Sequence, residues 1–246
     1  MFSGFYTAAS GVLMNQRALN LSANNIANMK TPGYHSKRLL RTTFEEELVR
    51  QENGQTTPIG GGAPISIVAA EASTYKQGMI EETGKIYDLA INGNGFFVVQ
   101  GEDREYLTRS GNFTRDEEGY LVLPGIGRVL GDNGQIQVGD AGFTIGLDGR
   151  VYDAAGQERN QIRLVAPENY DNLVFYDNGT YGVEDGAQLN RVYPDVYQGN
   201  LERSDVDLNA EMTRAMECQR AFQSCGKALT IIDQMNQKTS SEIGKL

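Results

Sequence analysis

The chain has 246 residues, 22 Lys and Arg against 32 Asp and Glu, a formal net charge of −10 and a single histidine. Such an acidic balance disfavours free DNA or RNA as a partner, and the length suits one large domain or two ordinary ones. No stretch of about 18 uninterrupted apolar residues occurs, so no membrane span is expected.

The charge is uneven. Residues 1–50 carry a net +3 and residues 204–246 a net −1, which leaves −12 for the middle. The first 16 residues, MFSGFYTAASGVLMNQ, hold no charge. They lack the basic start and compact apolar run of a secretory signal, so export through a cleavable signal is not expected.

Residues 3–29 read as one amphipathic helix. Phe5, Ala9, Val12, Gln16, Leu19, Ala23 and Ile26 recur at steps of three and four, the spacing of one helix face. Near its end stand Asn24, Asn25 and Asn28, poor helix formers. Asn24 and Asn28 are four apart and share a face, with Asn25 beside them. A polar side chain on a packed helix surface fixes register, because a slipped neighbour leaves its amide unpaired. Thr31-Pro32-Gly33 then stops the helix: a residue before proline is pushed out of the helical region, and glycine permits the turn.

The basic run KRLLR (37–41) is too short for a nucleic-acid signal and reads as a patch facing an acidic neighbour. FEEELVR (44–50) reads as a short helix, and NGQTTPIGGGAP (53–64) as a linker. The middle changes character. FFVVQ (96–100), EYLTR (105–109), YLVLP (120–124), QIQV (135–138), FTIGL (143–147), RVYDA (150–154), QIRLVA (161–166) and NLVFY (172–176) are short and rich in β-formers. The pairs Asn133-Gly134, Asp148-Gly149 and Asn178-Gly179 are hairpin signals. Strands at such spacing predict an all-β domain of sandwich or barrel type. Asn92-Gly93-Asn94-Gly95 precedes a strand rather than a helix, so it reads as a tight turn and not a dinucleotide site.

Residues 208–242 predict a second helix, with Leu208, Met212, Ala215, Gln219, Phe222, Cys225, Leu229 and Ile232 on one face and Ser204 and Asp207 resembling a capping box. About 35 helical residues would extend about 50 Å, a coiled-coil-like rod. Cys218 and Cys225 are seven residues apart, about 10 Å of helix rise, too far for a disulfide. They read as small core residues. The predicted fold class is α+β: long terminal helices packed antiparallel, with an all-β middle. The expected organisation is a discontinuous helical domain (1–35 with 204–246), a connecting region (36–80) and a β-rich domain (81–203). A two-helix hairpin leaves apolar stripe uncovered, and such stripes seek partners. The candidate assembly interface is therefore Phe5, Val12, Leu19, Asn24, Asn25, Ile26, Asn28, Leu208, Met212, Ala215, Gln219, Phe222, Leu229 and Ile232, with Thr31, Pro32 and Gly33 as the helix stop.

No catalytic or cofactor site stands out. A nucleophilic triad needs a histidine base, and His35 reads as a solvated turn residue. Zinc ligation needs clustered His and Cys, and a phosphate loop needs its glycine-lysine signature; neither pattern is present. Neither metal nor cofactor is therefore expected. Glu45–Glu47 or Asp116, Glu117 and Glu118 could supply a glycosidase-type pair, so a secreted carbohydrate-active enzyme remains the alternative to a structural protein. A coiled-coil-anchored adhesin is a third reading.

Four segments resemble the bacterial flagellar axial proteins of the rod and hook. They are SANNIANMKTPGY near the N-terminus, QGMIEETGKIYDLAINGNGFF (77–97), LTRSGNFTRDEEGYLV (107–122) and LERSDVDLNAEMTRAMECQRAFQSCGKALTIIDQM (201–235). Asp205 and Leu107 depart from the family's usual Asn and aromatic, and residues 125–200 match weakly. The resemblance, most similar to the distal-rod type, implies a structural, non-enzymatic subunit. Such a subunit is exported unfolded by the flagellar type III apparatus and polymerises helically into the rod that transmits motor torque. It implies an extracytoplasmic place in the basal body. It also implies self, other rod and hook subunits, the export apparatus, and the bushing ring or cell wall around the rod as partners.

Overall fold

A computed structural model describes residues 2–44, 65–139, 142–176, 178–183 and 188–243. The expected short helix around Glu45–Glu47 and the linker 53–64 lie outside the described residues. The chain divides into two compact units. Residues 1–27, 37–74 and 207–246 form the first, and residues 28–36 and 75–206 the second.

The first unit holds α1 (Phe2–Ala27), α2 (Leu208–Ile243) and an antiparallel strand pair, β1 (Lys37–Phe44) and β2 (Ile65–Ser73). Lys37 lies opposite Ser73 and Phe44 opposite Ile65, with a one-residue shift between Leu40 and Arg41. α1 packs on α2 and also touches β1 and β2. The helices run antiparallel. A Cβ on Gly4 would stand 3.9 Å from Ile232 Cδ1, and one on Gly11 would stand 3.0 Å from Cys225 Sγ. A step of seven forward on α1 is thus a step of seven back on α2, the heptad spacing of a helical seam. Carried on, that register sets Ala18 opposite Cys218 and Asn25 opposite Glu211, and all four are buried.

α2 begins on a single-residue cap rather than a capping box. The Asp207 carboxylate accepts from the N–H groups of Asn209 (2.9 Å) and Ala210 (3.3 Å), satisfying two donors of the first turn. Ser204 takes no part, because its hydroxyl accepts from the Val206 N–H instead. Both cysteines are free thiols, Cys218 buried and Cys225 half-buried.

The second unit is built on one ten-stranded sheet. Its main path runs Leu173–Phe175, Tyr181–Val183, Glu105–Thr108, Phe96–Gln100, Gly127–Gly131, Leu121–Leu123, Thr114–Arg115. Gly134–Gln135 pairs on Gly127–Gly131, while Leu164–Pro167 joins Phe96–Gln100 to Leu189–Arg191. A three-stranded sheet (Phe143–Ile145, Arg150–Asp153, Glu158–Gln161) and two ladders, Leu89–Asn92 with Asp195–Gln198 and Ile80–Glu82 with Asn200–Glu202, complete it. All neighbouring strands are antiparallel.

The apolar run FFVVQ is the strand that both faces bury. Phe97 and Val99 enter one core with Leu89, Phe113, Leu121 and Val129. Phe96 and Val98 enter the other with Leu107, Val165 and Tyr181. That is why the run is continuous rather than alternating. Asn133-Gly134, Asp148-Gly149 and Asn178-Gly179 each stand at a hairpin, and their glycines take φ of 93°, 75° and 80°.

Candidate assembly interface

The seam between α1 and α2 is lined on α1 by small and polar side chains. Gly4, Gly11, Ala18 and Asn25 recur every seven residues; Ala18 and Asn25 are buried, as are Asn15 and Ser22 between them. The expected apolar face lies one residue further along, a rotation of about 100°. Val12, Leu19 and Ile26 flank the seam half-buried, while Phe5 is 41% exposed. The reason is steric: helices approach closely where a side chain is small, so bulk is displaced to the flank.

On α2 the buried side carries Glu211 and Cys218, with Ala215, Phe222, Cys225, Leu229 and Ile232 half-buried around them. Leu208, Met212 and Gln219 fall outside it and are exposed. Large apolar side chains that face out include Tyr6 (59%) and Leu13 (61%) on α1, and Met216 (51%), Ile231 (56%) and Met235 (58%) on α2. Met212 is one of the expected interface residues, whereas its i+4 neighbour Met216 and the i, i+4 pair Ile231–Met235 were not picked out and could have been found in the sequence. Glu211 is paired with Arg214 on its own helix, and its second carboxylate oxygen has no hydrogen-bond partner.

The three asparagines separate into different roles. Asn25 is buried and its amide meets the Lys37 backbone twice, accepting from the N–H at 3.0 Å and donating to the carbonyl at 2.9 Å. It therefore pins the start of β1 to the end of α1. Asn24 is exposed, and Asn28 is half-buried with its side-chain oxygen accepting from the Thr31 hydroxyl at 3.2 Å. Replacing Asn25 with Ala is expected to cost about 1–3 kcal/mol, because two backbone groups lose their partner. Asn24→Ala, at an exposed position, should cost less than Asn25→Ala. Urea unfolding of both variants checks the contrast.

The helix stop is a fixed piece of the second unit. Thr31 is exposed, Pro32 half-buried and Gly33 buried at φ +67°. Gly33 donates to the Glu202 carbonyl at 2.9 Å, and Asp205 donates to the Tyr34 carbonyl at 3.4 Å. The Asp205 carboxylate accepts from the Ser36 N–H (2.5 Å) and hydroxyl (3.1 Å). Beneath them Arg109 and Glu202 form a buried ion pair at 2.5 Å, 5% and 2% exposed. The same guanidinium donates to the carbonyls of Ile91, Gly93 and Gly95. The Asn92–Gly95 turn is therefore an arginine cradle. Glu202 also accepts from the Gly78 N–H at 2.8 Å. Sequence reasoning missed this pair, since Arg109 and Glu202 are 93 positions apart.

His35 is a correction to the expected solvated turn residue. It is 5% exposed and packs on the rings of Tyr75 and Tyr181, because the aromatic core draws it inward. Its Nδ1 has no partner. Burial pushes its pKa below the ordinary 6.5, with Arg109 adding to that, while Glu202, Asp205 and the Lys76 carbonyl pull it up. The folded unit thus binds this proton less readily than the open chain. The stability this group contributes is full above about pH 6.5 and is lost as pH falls toward its folded value. His35→Gln should flatten the unfolding-midpoint-against-pH curve below pH 6.5 relative to the parent, as read by thermal unfolding in a pH series.

Of the carboxylates offered for the enzyme reading, Glu45–Glu47 lie outside the described residues and two of the others are engaged by an arginine. Asp116 and Glu118 both pair with Arg128, at 2.8 and 2.5 Å. Among the described residues no cluster of three or more His, Cys, Asp or Glu could hold a metal ion, and no helix is long and apolar enough to cross a membrane.

Two terminal helices in one unit, a β-rich unit between them in sequence and a pinned turn after the first helix define a helix-flanked axial-type subunit. Comparisons with known proteins give its family. Residues 5–35 match the model for flagella basal body rod protein, residues 90–153 the flagellar hook protein FlgE/F/G D1 domain, and residues 197–242 the flagellar basal body rod FlgEFG protein C-terminal model. The flagellar basal-body rod protein FlgF of Caulobacter vibrioides is 32% identical over 100% of both chains. FlgG of Bacillus subtilis is 31% identical over 97% of this chain and 98% of its own. The flagellar hook-basal body complex protein FlhO of Bacillus subtilis is 28% identical over 100% of both. The chain belongs to the flagellar basal-body rod protein family, and it is a structural rod subunit.

Proposed function

We propose that this chain polymerises helically through its terminal helices into the drive shaft that carries motor torque to hook and filament, with a position of the distal-rod type. The observation that supports this most is the apolar surface left on the helix pair. Tyr6, Leu13, Met212, Met216, Ile231 and Met235 all face out of the lone chain. Burying a large apolar side chain is worth about 1.5–3 kcal/mol each, which neighbouring copies or sister subunits would supply. Phe5, Val12, Leu19 and Ile26 flank the same surface, and Asn24 and Asn28 would fix the register of a neighbour laid against it. The further partners are other rod and hook subunits, the export apparatus, and the bushing ring or cell wall around the rod. The place is extracytoplasmic, in the basal body. The structural family and the engagement of Asp116 and Glu118 by Arg128 leave the carbohydrate-active enzyme reading without support.

Leu13→Lys tests this reading. Leu13 is 61% exposed, so the variant should unfold within about 0.5 kcal/mol of the parent. It should nonetheless lose concentration-dependent assembly in sedimentation and fail to restore swimming to a strain lacking the gene. A variant that is normally folded and fully motile would overturn the helix-face assignment.

A further inference from the structure

A groove of about 440 Å³ lies in the second unit, lined by residues from the Asn133–Gly139 segment and from the sheet Phe143–Ile145, Arg150–Asp153, Glu158–Gln161. Its lining does not include the Arg109–Glu202 pair. Its volume falls within the range of small-ligand sites, about 300–1,000 Å³.

The groove has an apolar base and a polar, neutral rim. Val138, Phe143 and Val151 line it and are buried. Asn133 and Gln137 are exposed and Tyr152 is half-buried. The side-chain polar ends of these three make no hydrogen bond within the chain among the described residues. The two ionised side chains of the lining, Asp153 and Arg159, pair with each other at 2.8 Å. Asp153 also accepts from the N–H groups of Ala155 and Gln157, both at 2.9 Å. Among the described residues the groove is thus locally neutral, in a chain whose net charge is −10.

Each property removes a class of ligand. An ion finds no spare counter-charge, and an anion also meets the repulsive field of the acidic chain. A purely apolar ligand would strip water from two amides and a phenol without replacing the hydrogen bonds. What remains is a neutral molecule with one apolar face and a periphery of donors and acceptors. Amide side chains offer both a donor and an acceptor to such a periphery, and a phenol offers a ring beside a hydroxyl.

We propose that this groove binds a neutral oligosaccharide, with the C–H face of one sugar ring against Tyr152 and the apolar base and its hydroxyls bonded to Gln137, Asn133 and the Tyr152 hydroxyl. Binding is non-catalytic, since the Asp153 carboxylate is spent on Arg159 and two N–H groups.

The test uses the full chain with maltotetraose, cellotetraose and chitotetraose as probes, each read by saturation-transfer NMR and by calorimetry. At least one should bind saturably with a Kd of about 0.1–5 mM, the weak end of the affinity scale. Tyr152→Ala should weaken it at least about tenfold, and Gln137→Ala should weaken it measurably. Gln137 is exposed, so that variant decides the matter if Tyr152→Ala does not fold. No saturable binding by any of the three would overturn the proposal. So would binding that both variants leave unchanged, or binding of a glutamine-rich peptide where all three sugars fail.

Discussion

Replacing Glu202 with Ala is expected to destabilise the second unit by about 3–5 kcal/mol, the cost of leaving one member of a buried ion pair uncompensated. The pair is 5% and 2% exposed, so solvent screens little of the loss. The damage is wider than the pair, because the Gly78 N–H also loses its acceptor. Arg109→Met should be at least as harmful. It frees Glu202 and also removes the guanidinium that donates to the carbonyls of Gly93 and Gly95, and leaves the Ile91 carbonyl with only the 3.4 Å contact from Gln77. The double variant Arg109→Met/Glu202→Ala removes both charges but still leaves the Gly93 and Gly95 carbonyls without that donor. It should therefore recover only part of the single-variant loss. Urea unfolding of the four proteins measures the cycle, and a Glu202→Ala change within about 0.5 kcal/mol of the parent would refute the role given to the pair.

The second large effect is expected at Gly33. Its φ of +67° alone would cost an L-residue about 1–2 kcal/mol. Gly84 has almost the same φ, +68°, and nothing stands within 4 Å of where its Cβ would be. At Gly33 the same atom would lie 2.4 Å from the Arg109 carbonyl carbon and 2.5 Å from the Ser110 nitrogen. Those are backbone atoms on the strand end that carries the buried guanidinium, so they cannot move without disturbing it. Gly84→Ala should thus report the conformational strain alone. Gly33→Ala should exceed it by at least about 2 kcal/mol, and chemical denaturation of the two variants reads the difference. Equal losses would mean that the close approach contributes nothing.

Much of this fold was legible because its signals are local. Helix periodicity located both helices, Asp207 could be picked out as a cap, and three Asn-Gly or Asp-Gly pairs marked three hairpins. FFVVQ was recognisable as a strand, and its continuous apolar run fits its burial on both faces. The short strands Tyr181–Val183, Leu189–Arg191 and Asn200–Glu202 were not found. Three residues carry too little pattern, and their pairing is set by partners far away in the chain. Strand order was hidden for the same reason.

The helix interface was only half readable. A moment argument finds bulk, and here bulk flanks a seam of Gly4, Gly11, Ala18 and Asn25. Small residues at a seven-residue interval were the missed clue. His35 illustrates a related limit: a polar residue after a turn looks solvated until Tyr75 and Tyr181 are known to surround it.

The segments at the two ends of the second unit run side by side in the same direction, Gly33 beside Glu202 and both Tyr34 and Ser36 tied to Asp205. Opposed traction on Asn28 and Val206 would slide one segment lengthwise past the other. The bonds joining them would then have to rupture together, and not peel open one at a time like a zip. A subunit that must survive being twisted is well served by such a joint.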